Sequence, residues 1–476
     1  MGATTAAERD PDPRNARVLV AGLGASGLAA ARALARAGAS VRAIDAASSP
    51  HARRAAEELG PLGVDVHLGV GFEDPALLGD AELVVASPGI PEHNPLLASA
   101  LAEGRPVWSE PELAWRLAGG RSRLVAVTGT NGKTTTTELL GTLLAAPTGG
   151  NIGTPLVDLL AAAEPPEVVA VELSSFQLRF CSTLRPDVAV LLNIAPDHLD
   201  WHPDVAAYTA AKAQLWAEQG SGDVLVLGDD EGAREACAAH PPAGRLVTSG
   251  IGPPEPGGVG IEDGLLVARV GRAGEPAEAT EILPVGHLAL RGPHNLANAA
   301  AAVGAAVAAG ADPGELAEPL AAYQPGAHRL TLVTERAGIA WIDDSKATNP
   351  HAAAAALASR GEGRRIVWIG GGLAKGLDLT VLEPTVARYV KHALAIGASA
   401  AEIVSVAGTV GVPVEHTGTV EAAVARAAAI AEPGDTVLLA PACASMDQFA
   451  DYAARGDAFA AAVHTLDGRD AEVGRE

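Results

Sequence analysis

Eight residues starting at Thr128, Thr-Gly-Thr-Asn-Gly-Lys-Thr-Thr, carry the plainest chemistry in this 476-residue chain. They follow the apolar run Leu124–Val127 and open a helix-patterned stretch from Thr134 to about Leu144. Backbone N–H groups in such a loop cradle phosphates, Lys133 neutralises them, and the hydroxyl of Thr134 can reach Mg²⁺. The loop is shorter than the standard pattern, because Val127 stands where that pattern has its first glycine. ATP use is the strongest expectation the residues support by themselves.

A second glycine loop, Gly22-x-Gly24-x-x-Gly27, follows Val18–Ala21, and Asp45 ends the next apolar run. This spacing suits a diphosphate at a helix N-terminus, and equally a turn that only lets helix meet strand. Alone it reads as an NAD-dependent dehydrogenase. Glu172 ends the run Val168–Val171, and Asn193–His198 ends the run Val188–Leu192. Polar groups at strand C-termini face the ligand crevice of open α/β sheets and suit Mg²⁺ or water, although each also fits a cap. Lys212, from its neighbours alone, is an ordinary helix lysine. His294, His328 and Arg329 are similarly ambiguous, while Asn295 and Asn298 share one helical face by i,i+3 spacing. Further on, Asp343-Asp344-Ser-Lys346-Ala-Thr348-Asn349 follows Ile339–Ile342, and Val437–Leu439 leads into Ala440-Pro-Ala-Cys-Ala-Ser445. Cys443 reads as a packing residue, since no nearby basic group would lower its pKa.

The elements that must position these residues alternate short apolar runs with alanine-rich helical stretches, the pattern of an α/β fold on parallel sheets. One nucleotide-type loop per domain gives three domains: a Rossmann-like first domain, a central P-loop ATPase-type domain and a Rossmann-like C-terminal domain. The third loop is Gly370-Gly371-Gly372 after Ile366–Ile369. Boundaries are expected near Glu110-Pro111, before a helix Glu112–Leu117, and near Gln324-Pro325-Gly326. The domains are then 1–110, 111–325 and 326–476. Pro241–Gly286 reads as an antiparallel excursion within the central domain. The last helix is expected to end near Leu466.

Composition removes other classes. Asp and Glu number 57 against 34 Lys and Arg, a net charge of −23. Such a surface repels phosphate backbones and anionic membranes, so neither nucleic acid nor membrane insertion is expected. No apolar run reaches the roughly 18 residues of a spanning helix. Met1–Arg17 lacks a leader's apolar core, and Ala6 stands where a myristoylation signal wants Ser or Thr. Three scattered cysteines suggest no disulfide framework or zinc pattern. A cytoplasmic, monomeric enzyme is expected.

Together these residues resemble the Mur ligase family, in order and over nearly the whole chain. The resemblance runs through Gly22–Gly27, Ser87-Pro-Gly-Ile90, Thr128–Thr135, Gly149-Gly-Asn-Ile-Gly153, Glu172–Leu178 and Asn193–His198. It continues through Lys212, His294–Asn298, His328-Arg329, Asp344–Asn349 and Pro441–Phe449. The shortened phosphate loop is a family trait. The Asp-Ser-Lys-Ala-Thr-Asn and Pro-Ala-Cys-Ala-Ser sequences resemble the branch that adds D-glutamate.

The resemblance implies ATP-dependent ligation of D-glutamate to UDP-N-acetylmuramoyl-L-alanine through an acyl phosphate, in peptidoglycan precursor synthesis. It implies ATP contacts from Gly129, Thr130, Asn131, Gly132, Lys133, Thr134, Thr135, Asn298, Arg329 and Asp344. It implies two Mg²⁺ ions on Thr134, Glu172, His198 and a carbamylated Lys212. Ala25, Ser26, Asp45, Gly89 and Asn151 would hold the UDP-substrate, although Ala46 and Ala47 replace a hydroxyl and a cation common in relatives. Lys346, Thr348, Lys375, Ser445 and Tyr452 would surround D-glutamate and the reacting acyl group. Closure over ATP and amino acid would follow from functional loops in three domains. A dehydrogenase leaves the second nucleotide loop unexplained, and a nucleotide switch lacks an Asn-Lys-x-Asp guanine reader. A relative adding another amino acid is the nearest alternative. Four of the five lysines (133, 212, 346 and 375) fall in these motifs, and only Lys391 reads as surface.

Overall fold

The computed structural model describes residues 11–271, 278–290, 292–359 and 363–473. Most of the stretch read for a leader, and part of the 241–286 excursion, lie outside them. Among the described residues the strands form three sheets, and the chain is α/β throughout. It divides into two compact units. One takes in the chain up to Ile194 with Trp201–Val285 and Ala297–Ala321; the other takes in Ala195–Asp200, Gly286–Leu296 and the chain from Ala322.

The first unit holds two sheets. β1 (Arg17–Ala21), β2 (Ser40–Asp45), β3 (Asp65–Leu68), β4 (Leu83–Ala86) and β5 (Val107–Trp108) pair in parallel in the order β3-β2-β1-β4-β5. The order reverses between β1 and β4, so the glycine loop after β1 and Ser87–Ile90 after β4 share the switch-point crevice where α/β sheets bind ligands.

The second sheet contains β6 (Arg123–Thr128), β7 (Thr148–Gly150), β8 (Val168–Glu172), β9 (Val188–Leu191), β10 (Val224–Gly228) and β11 (Arg245–Ser249), all parallel. It continues into β12 (Gly258–Glu262), β13 (Leu265–Ala268) and β14 (Thr280–Pro284), in the order β14-β13-β12-β11-β10-β9-β6-β8-β7. β12, β13 and β14 pair antiparallel, as the Gly- and Pro-rich composition suggested. β6 lies between β9 and β8, and its residues Leu124–Val127 are apolar and buried because both faces are covered. Val20 and Val85 of the first sheet share one buried core with Leu124 and Val169 of the second and with Leu156 of a short helix beside it, so the two domains pack as one body.

The segment between them carries the expected helix, two residues longer at its start and one at its end. The helix starts at Glu110 and runs to Ala118, with Pro111 in its first turn. Glu110 and Glu112 are both buried. Glu112 accepts from the backbone N–H groups of Ser182, Thr183 and Leu184 and from Arg116 Nε. The Glu112 carboxylate tolerates desolvation because a nest of N–H donors and a cation satisfy it.

The second unit carries β15 (Thr331–Arg336), β16 (Ile339–Asp343), β17 (Ile366–Gly371), β18 (Val390–Ile396), β19 (Val414–Gly418) and β20 (Thr436–Ala442), in the order β15-β16-β20-β17-β18-β19. Only β15 runs antiparallel. Gly370 and Gly371 belong to β17 rather than to a loop opening a helix. A Cβ at Gly371 would lie 2.0 Å from Ile396 O, so the glycine serves close strand packing. β20 continues through Pro441 to Ala442, and the register with β17 shifts between Ile369 and Gly371, which accommodates a residue without an N–H. The last helix runs from Tyr452 to Val473, past the expected end near Leu466, since no proline follows to stop it.

Candidate active site

The phosphate loop sits at the switch point of the second sheet, where β6 lies between β8 and β9. The helix Lys133–Leu143 starts from Gly132, whose φ of 84° is left-handed. A Cβ there would lie 2.2 Å from Asn298 Oδ1, so Asn298 packs directly on the loop. Thr130 N–H donates to Asn193 O and Asn131 N–H to Asn193 Oδ1, which ties the loop to the end of β9. The helix N-terminus supplies the N–H groups and dipole that attract phosphate.

Lys133 curls back, and its Nζ donates to the carbonyls of Gly129 and Thr130, 2.8 Å each. Lys212 is not a solvated lysine. It is 1% exposed, and its Nζ donates to the same Gly129 carbonyl at 2.8 Å. Tyr208, one helical turn earlier, lies under Lys212 Nζ at 4.6 Å from its ring centroid. Its hydroxyl meets Thr130 Oγ1 at 2.9 Å.

Glu172 ends β8 and is 2% exposed. Its Oε1 accepts from Asn151 Nδ2 at 2.8 Å, while Oε2 is buried with no hydrogen-bond partner among the described residues. A buried carboxylate oxygen without a donor is costly, and its chemistry suits a hard cation. Asn151 N–H also donates to Glu172 O. Two of the expected magnesium and substrate residues are therefore joined.

In the first sheet, Gly27 is required by packing, since a Cβ would fall 1.8 Å from Gly22 O. Gly24 has nothing within 4 Å of its Cβ position, so its bareness leaves room for a ligand. Ala25 and Gly89 are exposed and Ser26 half-buried at this edge. Asp45 accepts from Leu23 N–H at 2.6 Å and Ala47 N–H at 2.8 Å, so it braces the glycine loop.

The second unit gathers the other residues. The loops after β16 and β20 flank that sheet's switch point. Asp344 Oδ1 accepts from Leu330 N–H, and Lys346 Nζ lies 5.0 Å from the Tyr452 ring centroid. Arg329 lines a cleft with Gln324, Pro325, Leu332 and Ile342. Thr348 is half-buried, Ser445 is 4% exposed, and Lys375 is exposed with φ 52°. His198 also has a left-handed φ, 54°, and its N–H bonds Asp197 Oδ1. Burial pushes the Cys443 thiol up to about 12, in line with a packing role.

Family models match three stretches: Mur ligase MurD-like N-terminal domain at 16–109, Mur ligase middle domain at 127–306, and the Mur ligase, glutamate ligase domain at 328–443. A UDP-N-acetylmuramoylalanine--D-glutamate ligase of Frankia casuarinae is 50% identical over 95% of this chain and 94% of its own. One of the same name from Anaeromyxobacter dehalogenans is 43% identical, covering 94% and 97%. The chain belongs to the Mur ligase family. Solved Mur-type ligases share the fold at lower identity. UDP-N-acetylmuramate-alanine ligase MurC of Thermotoga maritima is 18% identical with a TM-score of 0.56, covering 95% of this chain and 100% of its own.

Some residues of this Mur ligase escaped the sequence reading. Tyr208 was detectable, because it stands at i−4 from Lys212 on one helical face. Arg455 carried no such signal. It is 1% exposed, donates from Nε to Ser345 Oγ and from Nη2 to Ser345 O, and reaches Cys443 O from Nη1. Desolvation pulls its pKa down to about 10. It fastens the loop after β16 to the loop after β20.

Proposed function

We propose that this Mur ligase joins D-glutamate to UDP-N-acetylmuramoyl-L-alanine at the expense of ATP, in peptidoglycan precursor synthesis. The observation that carries the reading is the chain-long likeness to ligases of that name, 50% identical over 95% of the chain. The phosphate loop and the donor-less oxygen of Glu172 support it independently.

A carboxylate is a poor electrophile. The L-alanyl carboxylate oxygen therefore attacks the γ-phosphorus of ATP, the bond to the β-γ bridging oxygen breaks, and ADP departs. The D-glutamate amine then attacks the acyl carbon through a tetrahedral intermediate, phosphate leaves, and the nitrogen loses its proton to give the amide. Catalysis here is mostly alignment and charge neutralisation.

Gly129–Thr135 orient the triphosphate along the helix N-terminus, and Lys133 swings from its own loop carbonyls to the phosphates. Thr134 and Glu172 are the oxygen donors that fit Mg²⁺ in the first unit. When bound, Mg²⁺ neutralises the charge developing on the transferred phosphoryl group. Carbamylation of Lys212 suits its surroundings: a buried ammonium beside that of Lys133 becomes an anionic oxygen donor, relieving like-charge repulsion. His198 is assigned to a second ion by resemblance. Asn298, Arg329 and Asp344 are assigned to ATP. Ala25, Ser26, Asp45, Gly89 and Asn151 are assigned to the UDP-substrate, and Lys346, Thr348, Lys375, Ser445 and Tyr452 to D-glutamate and the acyl group.

The test is phosphate release from ATP with UDP-N-acetylmuramoyl-L-alanine and, in parallel, D-glutamate, L-glutamate or a diamino acid. Release only with D-glutamate is the expected result. Release with the diamino acid instead would make this a ligase of different specificity, and release without any amino acid would overturn the ligase reading.

A further inference from the structure

The helix Leu156–Leu160 has five residues, too few to be stable alone. Three residues from the first domain and the linking segment hold it. Glu110 Oε1 accepts from Val157 N–H at 2.5 Å, satisfying one of the helix's orphan donors. Arg32, on the helix opened by the first glycine loop, donates from Nη2 alone to both oxygens of Asp158 at 2.8 and 2.7 Å, while its Nη1 meets Glu58 Oε1 at 2.5 Å. Arg121 donates to Leu160 O at 3.3 Å and to Ala118 O at 2.9 Å.

The N-terminal end of this helix leads straight to the carboxylate assigned to the metal. Thr154 O, next to Pro155 at its start, accepts from Gly150 N–H at 3.0 Å and closes a hook around Asn151. Asn151 grips Glu172 twice, through N–H to O and through Nδ2 to Oε1, 2.8 Å each. A continuous path of bonds therefore runs from the helix beside the UDP-type glycine loop, through Asp158 and the short helix, to Glu172. Val20, Trp108, Leu156 and Val171 are buried in one core along it, so the path has little slack.

We propose that Arg32 and Glu110 clamp the helix Leu156–Leu160 to position Asn151 and Glu172, so that the first domain sets metal affinity in the second. They are positioning residues for the ligase reaction, and nothing in them touches a reacting atom. The inference rests on the assignment of Glu172 to Mg²⁺.

Mn²⁺ binding in the presence of a non-hydrolysable ATP analogue, followed by water-proton relaxation on the whole protein, tests it without turnover. Arg32→Ala and Glu110→Ala should each weaken Mn²⁺ binding by on the order of tenfold, the scale seen when residues that orient a metal ligand are removed. The Mg²⁺ concentration for half-maximal phosphate release should rise in parallel. Arg32→Lys, which keeps a donor for Asp158, should recover part of that loss. Arg32 lies at the surface edge, with its side chain 22% exposed, so its variants keep the test open if Glu110→Ala does not fold. Wild-type Mn²⁺ affinity in folded Arg32→Ala overturns the clamp. Glu172→Gln separates the two readings: if it binds Mn²⁺ like wild type, the Glu172 assignment itself falls.

Discussion

Lys133 and Lys212 donate to one and the same carbonyl oxygen, that of Gly129, each at 2.8 Å. The phosphate loop thus brings together two ammonium groups from different helices, one of them buried. Such a pair is repulsive unless anions or a lost charge relieve it. Bound phosphate would do this for Lys133, and the carbamylation proposed above would do it for Lys212. Lys212→Ala should therefore lower phosphate release by on the order of a thousandfold, the worth of several kcal/mol at a metal site. UDP-substrate binding, measured by calorimetry, should be unchanged. Near-normal turnover in this variant would remove Lys212 from the metal site.

The two glycines of the first loop should behave oppositely. Gly27→Ala drives a Cβ to 1.8 Å from Gly22 O, so the helix must shift and stability should fall by about 1–3 kcal/mol. Gly24 has an ordinary φ of −65° and open space around its Cβ position. Gly24→Ala should keep the melting temperature while weakening UDP-substrate binding. Equal melting temperatures and equal affinities for both variants would show that this edge holds no ligand.

Glu110 provides a pH signature. Desolvation pushes its carboxyl up to about 8; the Val157 N–H bond opposes this and Asp158 adds to it. Glu112 and Cys181 are also close, and Arg32 partly offsets Asp158. The folded state holds this proton more tightly than the unfolded chain, so stability falls as pH rises from about 4.5 to about 8 and stays low above that. The limiting slope is roughly 1.4 kcal/mol per pH unit. Glu110→Gln removes this loss. Its melting temperature relative to wild type should climb between pH 6 and pH 9, and a constant difference would refute the ionisation.

Arg455 should matter to the amino acid more than to the UDP-substrate. Arg455→Lys keeps the charge but loses the fork that joins Ser345 to Cys443. The KM for D-glutamate should rise several-fold with a smaller change for the UDP-substrate. Equal changes in both would place Arg455 in general stability alone.

Strand-to-loop chemistry was legible because it is local. The order of residues after each apolar run placed Lys133, Glu172, Asp344 and Ser445 at strand ends, and parallel sheets put strand ends in crevices. The antiparallel excursion was equally readable from its glycines and prolines. The burial of Glu110 and Glu112 was not, because their positions marked only a domain boundary, and long-range N–H donors are what make that burial tolerable. Lys391 shows the converse: read as a surface residue, it is half-buried on β18 with Glu432 and the buried Asp435 each at 2.7 Å, a pairing no local pattern announces.

By itself the sequence determined the chemistry on offer: a phosphate loop, a second glycine loop, carboxylates and lysines at the ends of apolar runs, and through them the family. Tertiary structure alone decided which of those groups lose water and what they meet. Lys212 was an ordinary helix lysine until β6 brought Gly129 to it, and Arg455 was unremarked until two loops closed around it. The reason is physical. Spacing encodes which face of an element a residue occupies, whereas burial and pairing depend on elements distant in sequence that meet only in the folded chain.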